Sequence, residues 1–328
     1  MSLYWKTRTL ISGDYREIER NCIELRNKKV ISKYKGKEDI YCVIRLFSDE
    51  GGLFCIFHKA LAGIKYSIDN GFIPVIDMQT KENIFTSSKA RKTVNIWEKF
   101  FEQPGGISFD KVKKLPNKVI IENPVMFDLN FTDIYDENSY ASKYWRKLTK
   151  KYIKLSKEVH DLFIYHSNIF FDGSKTLGVL ARGTDYNRKT AMGHPIQPTM
   201  EELIAKIRNV VDKDSNYRIF LATEDQRILD NLRQEFGESI YTIPQKRYSE
   251  EVTTKLGHRG DYVNYALELN QAYLAAIYML SKCDSLVAGR TTGMLGAYLF
   301  SDDFEYVHVF NKGRYGIDDE ETLDITKL

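Results

Sequence analysis

The stretch Thr176-Leu177-Gly178-Val179-Leu180-Ala181-Arg182-Gly183-Thr184-Asp185 decides the fold. Leu177 to Ala181 is a short apolar run, the length of a strand buried on both faces. It ends abruptly in Arg182-Gly183-Thr184-Asp185, a charged turn containing glycine. A buried strand leading into such a turn is the opening of a β-α unit of a parallel sheet. The pattern recurs down the chain. Thr199 to Val211 reads as a helix, with Thr199 as cap and Glu202 three residues on, the spacing of a capping box. Arg218 to Ala222 is a strand, Gln226 to Phe236 a helix closed by Gly237, and Ser239 to Ile243 a strand before Pro244. Tyr262 to Ser281 is a long helix, Ser285 to Ala288 a strand, Gly293 to Phe300 a helix and Tyr306 to Val309 a last strand. Alternation of this kind predicts a doubly wound parallel sheet.

Open parallel sheets take their ligands at the carboxyl ends of the strands. Three of those ends are polar here. They are Arg182-Gly183-Thr184-Asp185, then Thr223-Glu224-Asp225, then Gly289-Arg290-Thr291-Thr292-Gly293. The last offers two hydroxyls and a glycine where a helix begins, and helix starts present free N–H groups and partial positive charge. Gly293 would let the backbone come close to an anion, and Arg182 would clamp the same anion with two parallel bonds. Taken singly, Thr292 reads equally as a helix cap and Arg182 as a surface ion pair. Taken together at one sheet edge, they read as a phosphate site.

The first half carries the same alternation. Tyr41 to Phe47 is a strand, Ser48 to Gly52 a turn, Leu53 to Tyr66 a helix, Phe72 to Ile76 a strand and Lys118 to Ile121 another. Gly51 and Gly52 open that first helix without a full dinucleotide-binding pattern, and Asp49, Glu50, Gly51 and Gly52 are candidates to line a cleft. A single helix is predicted over Tyr140 to Tyr165, with Tyr144, Leu148, Tyr152, Leu155, Val159 and Leu162 on one stripe. Its lysines make a solvated face or, alternatively, a surface that meets a membrane. The 328 residues exceed what one core holds, about 250, so two domains are expected, 1–160 and 161–328.

Bulk composition excludes several classes. With 48 basic against 45 acidic residues, the net charge of +3 does not point to nucleic acid. No run of about 18 apolar residues is present, and Met1 to Leu10 lacks a signal-peptide core, so a cytoplasmic protein is expected. The cysteines Cys22, Cys42, Cys55 and Cys283 form no CxxC pair and read as reduced thiols. Asp212-Lys213-Asp214 has the spacing of a metal-binding DxD, but it comes after a helix at the opposite sheet edge and reads as a solvated turn. The six histidines show no ligand spacing, so no metal and no cofactor are expected.

The strand-end motifs resemble those of the GDP-fucose-dependent fucosyltransferases, above all the α1,6-type and its bacterial nodulation relatives. Their first motif reads His-x-Arg-Arg-Thr-Asp with a His-Pro nine residues later. Here Leu180-Ala181-Arg182-Gly183-Thr184-Asp185 and His194-Pro195 stand at that spacing. Their Ala-Thr-Asp-Asp is similar to Ala222-Thr223-Glu224-Asp225, and their Asp, strand and Ser/Thr pair to Asp284 through Thr291-Thr292. The similarity covers about residues 176–300. It implies a GT-B-like fold of two Rossmann-type lobes with a cleft between them, inversion at the sugar carbon, and no metal. It implies that Arg182, Thr291 and Thr292 hold the donor phosphates, with Gly183, Thr223, Glu224, Asp225, Arg290 and Gly293 around the donor and His194 nearby. Four positions depart from the family: its base-holding His is Leu180, its second Arg is Gly183, its Glu after the motif is Thr190, and its guanine-reading Asp falls on Ala276. The resemblance therefore carries phosphate binding and leaves base specificity open.

The expectation is a glycosyltransferase moving fucose from GDP-fucose to a glycan or lipid-linked glycan, in bacterial surface polysaccharide synthesis, with peripheral membrane contact through the basic helix. Arg182 and Asp185 are the catalytic candidates, Asp185 as base with Asp49 and Glu50 next. The alternatives are another GDP-sugar, a UDP- or dTDP-sugar, a nucleotide-sugar epimerase, or a binding protein without catalysis. Intact Arg182, Asp185 and Thr292 speak against the last.

Overall fold

The computed structural model describes residues 39–47, 52–81, 83–85, 93–124, 134–136, 139–183, 194–212, 216–248 and 260–316. Two parallel sheets organise them. In the first half, β1 (Tyr41–Arg45), β2 (Ile73–Asp77) and β3 (Lys118–Glu122) pair in the order β2-β1-β3. Side chains along β1 alternate between two cores. Cys42 and Ile44 meet α1 (Leu53–Asp69), while Val43 packs with Phe109 and Val112 of the short α2 (Phe109–Val112). That alternation is the period of two that a pleated strand imposes.

In the second half, five strands take the order β6-β5-β4-β7-β8. They are β4 (Lys175–Leu180), β5 (Tyr217–Ala222), β6 (Ile240–Tyr241), β7 (Ser285–Gly289) and β8 (Tyr306–Phe310), and every pairing is parallel. The chain runs outward from β4 to β6, then returns past β4 to β7, so strand order reverses between β4 and β7. One face packs on α5 (Met200–Val211) and α6 (Gln226–Phe236) through Leu203, Ile207, Leu229 and Leu232. The other lies under α7 (Gly260–Leu280) and α8 (Thr292–Phe300), in a core that also takes in α1. The expected α/β class and nearly every predicted element are present. Thr199 and Glu202 form the capping box foreseen for α5.

One element differs. The segment predicted as a single helix is two: α3 (Tyr140–Tyr152) and α4 (Lys157–Phe170). Between them the backbone turns aside to join the first half. Glu102 N–H donates to Lys154 O and Ser156 N–H to Phe100 O, each at 2.9 Å. Ser156 Oγ then caps α4, accepting from Val159 N. Hydrogen bonds to a distant segment thus override a helical period that runs unbroken through the sequence. The basic face of α3 is partly neutralised, since Lys150 pairs with Asp302 at 2.7 Å. Among the described residues no helix is long and apolar enough to cross a membrane, and no group of three or more His, Cys, Asp or Glu is placed to hold a metal.

Candidate donor-binding site

The carboxyl edge of the five-stranded sheet gathers the three strand ends read as polar. At the end of β4, Arg182 Nε stands 3.2 Å from Glu224 Oε1, just beyond β5. The same oxygen accepts from Gly183 N at 3.0 Å. Glu224 therefore fixes both the guanidinium and the turn that carries it. A side chain at Gly183 would strike the Asp225 carboxylate, at 2.2 Å. Asp225 is fully buried and caps α6, accepting from Arg227 N at 2.9 Å and pairing with its guanidinium at 2.7 Å. Thr223 is buried and its Oγ1 accepts from Asp225 N. Glu224 thus pairs with Arg182, and Asp225 caps the helix that follows.

At the end of β7, Arg290 is buried with Nη1 on Asn311 Oδ1 at 2.9 Å. Thr291, rather than Thr292, is the cap of α8, its Oγ1 accepting from Met294 N at 3.0 Å. Thr292 and Gly293 occupy the first helical positions, where N–H groups have no carbonyl four residues back. The space over the Gly293 α-carbon is taken by the protein itself: a Cβ there would lie 2.1 Å from Tyr273 Oη.

Thr292 has a neighbour from the other sheet. Its Oγ1 is 4.0 Å from Sγ of Cys55, in the first turn of α1. That helix starts at Gly52 with no side chain in its cap and open space at the Cβ position. Phe54 packs edge-on to Tyr273, ring centroids 5.6 Å apart at 89°, and occupies the space beside Gly296 of α8. Two helix N-termini, one per sheet, therefore meet at Cys55 and Thr292. Each carries partial positive charge and first-turn N–H groups that have no carbonyl of their own helix to bond.

A cavity of about 510 Å³ opens beside Arg182, bordered also by Gln197, Asp225, Arg227, Asn231 and Lys312. His194 is exposed at the segment entering this wall, its carbonyl bonded to Tyr315 N at 3.0 Å. Asp185, Asp49, Glu50 and Gly51 lie outside the described residues, as does Thr190. The structure brings Arg182, Gly183, Thr223, Glu224 and Asp225 into one group, and Gly52, Thr291, Thr292 and Gly293 into its neighbour. Sequence reading missed Cys55, Gln197 and Tyr273. The pattern Tyr273, Ile277, Leu280 shows only a helix face, and nothing local marks one tyrosine on it as adjacent to Gly293.

No family model and no curated protein matches the chain. Solved structures do match. A crystal structure of NodZ α1,6-fucosyltransferase co-crystallised with GDP superposes with a TM-score of 0.52 at 15% identity, covering 80% of this chain and 93% of that one. Fucosyltransferase NodZ from Bradyrhizobium gives 0.53 at 14% identity, covering 80% and 94%. The chain has the fucosyltransferase fold. An Arabidopsis thaliana FUT1 variant in complex with GDP gives 0.50 at 10% identity, covering 86% of this chain and 74% of that one. The α/β fold with parallel sheets expected from the sequence is thus shared with these structures.

Proposed function

We propose that this chain is an inverting glycosyltransferase that moves fucose from GDP-fucose to a glycan hydroxyl. The observation that carries the reading is the meeting of the α1 and α8 N-termini at Cys55 and Thr292, at the end of β7, the strand paired with the β4 that leads into Arg182. Like-signed helix ends repel, and a diphosphate between them relieves that repulsion. The strand ends supply the same motif residues that the resemblance assigns to donor phosphates. In this reading the two sheets belong to two Rossmann-type lobes, divided near residue 160, and the donor lies in the cleft between them.

The acceptor oxygen attacks the anomeric carbon on the face opposite the diphosphate. The new C–O bond forms as the bond to the β-phosphate oxygen breaks, and negative charge collects on GDP. The N–H groups of Thr292 and Gly293 and the Arg182 guanidinium stabilise that charge, each worth about 3 kcal/mol by the measure of oxyanion-hole donors. These electropositive groups do the work that a metal does elsewhere. Asp185 takes the acceptor proton, with Asp49 and Glu50 as the other candidates. The setting we propose is bacterial surface polysaccharide synthesis in the cytoplasm, with the exposed Lys143, Lys147 and Lys151 of α3 facing anionic lipid around a lipid-linked acceptor.

One observation favours a second donor. Leu180 and Ala276, standing where the resembled family reads its base, are both buried and apolar. A UDP- or dTDP-sugar would be the substrate if guanine is not selected, and another GDP-sugar if the base is guanine and the sugar is not fucose. Calorimetry with GDP, GDP-fucose, UDP and dTDP on wild type and Arg182→Ala tests both readings. Binding of GDP that weakens about tenfold or more in the variant is expected, the loss of a charge-assisted contact. Preference for UDP or dTDP retains the class and removes fucose, and absence of all nucleotide binding overturns the proposal.

A further inference from the structure

The cavity beside Arg182 lies on the face of the sheet away from α8. Leu180 belongs to the core under α7 and α8, whereas Ala181, the next residue, belongs to the core under α5 and α6 and borders the cavity. The space is enclosed by the starts of α5 and α6 and by the segment that follows β8. Its 510 Å³ falls within the ~300–1,000 Å³ of small-molecule sites.

The lining has two parts. Ile196, Met200, Leu203 and Ile228 form an apolar wall. Beside it stand three polar side chains with hydrogen-bonding capacity left over. Gln197 is 7% exposed, its amide nitrogen donates to Pro195 O and Arg290 O, and its Oε1 meets no donor among the described residues. Asn231 donates to Arg227 O at 2.8 Å and leaves its Oδ1 unused. Tyr315 is half-buried, and its hydroxyl makes no hydrogen bond among the described residues. A buried amide oxygen without a donor is uncommon, and at a cavity wall it is met by a bound hydroxyl.

The charges sort the ligand. The two cations beyond Arg182 are each matched by a carboxylate: Arg227 by Asp225 at 2.7 Å and Lys312 by Glu202 at 2.6 Å. That part of the cavity therefore suits a neutral molecule, with Arg182 alone at the end where a phosphate would stand. A neutral ligand with an apolar side and a rim of hydroxyls matches this lining, and a pyranose ring has both: C–H groups on its faces and O–H groups at its edge.

We propose that this cavity holds the sugar of the nucleotide-sugar donor, with Gln197, Asn231 and Tyr315 hydrogen-bonding its hydroxyls and the apolar wall against its C–H groups. The assignment rests on the donor reading above, in which Arg182 meets the phosphate that carries the sugar. It adds the place where the sugar is recognised, on α6 and the two segments flanking the cavity rather than at the strand ends.

The test compares wild type with the double variant Asn231→Ala/Tyr315→Phe by calorimetry with GDP and with GDP-fucose, with thermal unfolding followed in parallel. Asn231 is exposed on α6 and phenylalanine keeps the ring, so an unchanged unfolding temperature is expected. Gln197 stays in place, because its amide also ties the segment before α5 to Arg290. The expected result is a loss of about tenfold or more for GDP-fucose, as for two neutral hydrogen bonds, with GDP affinity unchanged. GDP-fucose affinity equal to that of wild type overturns the proposal. An equal loss for GDP and GDP-fucose also overturns it, since the nucleotide and not the sugar would then occupy the cavity. A wild type that binds neither ligand removes the donor reading and the sugar site with it, an outcome distinct from a wild type and a variant that bind both alike.

Discussion

A methyl group on Gly293 would press on the Tyr273 hydroxyl at 2.1 Å, and on nothing else nearer than 3.2 Å. Gly293→Ala should therefore destabilise the fold by about 1–3 kcal/mol, the usual cost of overpacking. Adding Tyr273→Phe to it should recover part of the loss in urea unfolding. Two independent, additive losses would show that the clash is not where the geometry puts it. A second prediction concerns thiols. Burial pushes the Cys42 thiol up to about 12 and the Cys283 thiol higher still, whereas Cys55 is half-buried beside Thr292. Of these three, Cys55 should be alkylated first by iodoacetamide when sites are mapped by mass spectrometry, and GDP should slow that reaction. At this scale the sequence showed Arg182, Thr223 to Asp225 and Thr291 to Gly293, because strand ends are marked locally by an apolar run meeting polar residues. Tyr273 and Gln197 were hidden, because their places depend on a helix crossing and a returning loop. Gln197, for example, donates to Pro195 O and Arg290 O, the second 93 positions away.

The break between α3 and α4 shows what local pattern misses. Leu155 and Val159 continue the stripe of Leu148 and Tyr152, so periodicity alone joins the two helices. The turn is set instead by Phe100 and Glu102, whose backbone groups pair with Ser156 and Lys154. Ser156 serves twice, capping Val159 N and donating to Lys99 O at 3.1 Å. Ser156→Ala should cost about 1 kcal/mol as a lost helix cap, with the second hydrogen bond adding to it. Urea unfolding of the variant measures this, and no change in midpoint would mean that the cap carries no energy. Elements whose ends are signed in the sequence fared better. Thr199 with Glu202 opened α5 and Gly237 closed α6, both at the positions read from the chain.

At the scale of the molecule, two histidines, His58 buried and His308 half-buried, couple stability to pH. Burial pushes His58 down to about 3, and burial with Lys206 nearby pushes His308 down to about 4. Both stay neutral in the fold and would protonate near pH 6.5 once unfolded. The unfolded chain thus binds more protons between about pH 6.5 and pH 3–4, so stability is full above 6.5 and falls as pH drops through that window. Urea midpoints at pH 7.5, 5.5 and 4.5 should decline in order, and His58→Leu should shrink the decline. A flat profile would place His58 in water. The two histidines were visible in the sequence, but their enclosure was not, because it comes from tertiary packing, part of which joins the two halves of the chain. That packing is extensive: Phe54 of α1 fills the space at Gly296, Ser142 of α3 bonds Tyr298, and the Arg146 guanidinium reaches Ser301 O at 3.1 Å. It also sets an order of events during synthesis. The ribosome releases α1 and α3 long before α8, yet Phe54 finds its seat only when Gly296 has emerged. Until then the nascent chain carries an uncovered aromatic face, so truncation before residue 292 should yield a polypeptide that chaperones retain and that aggregates on release.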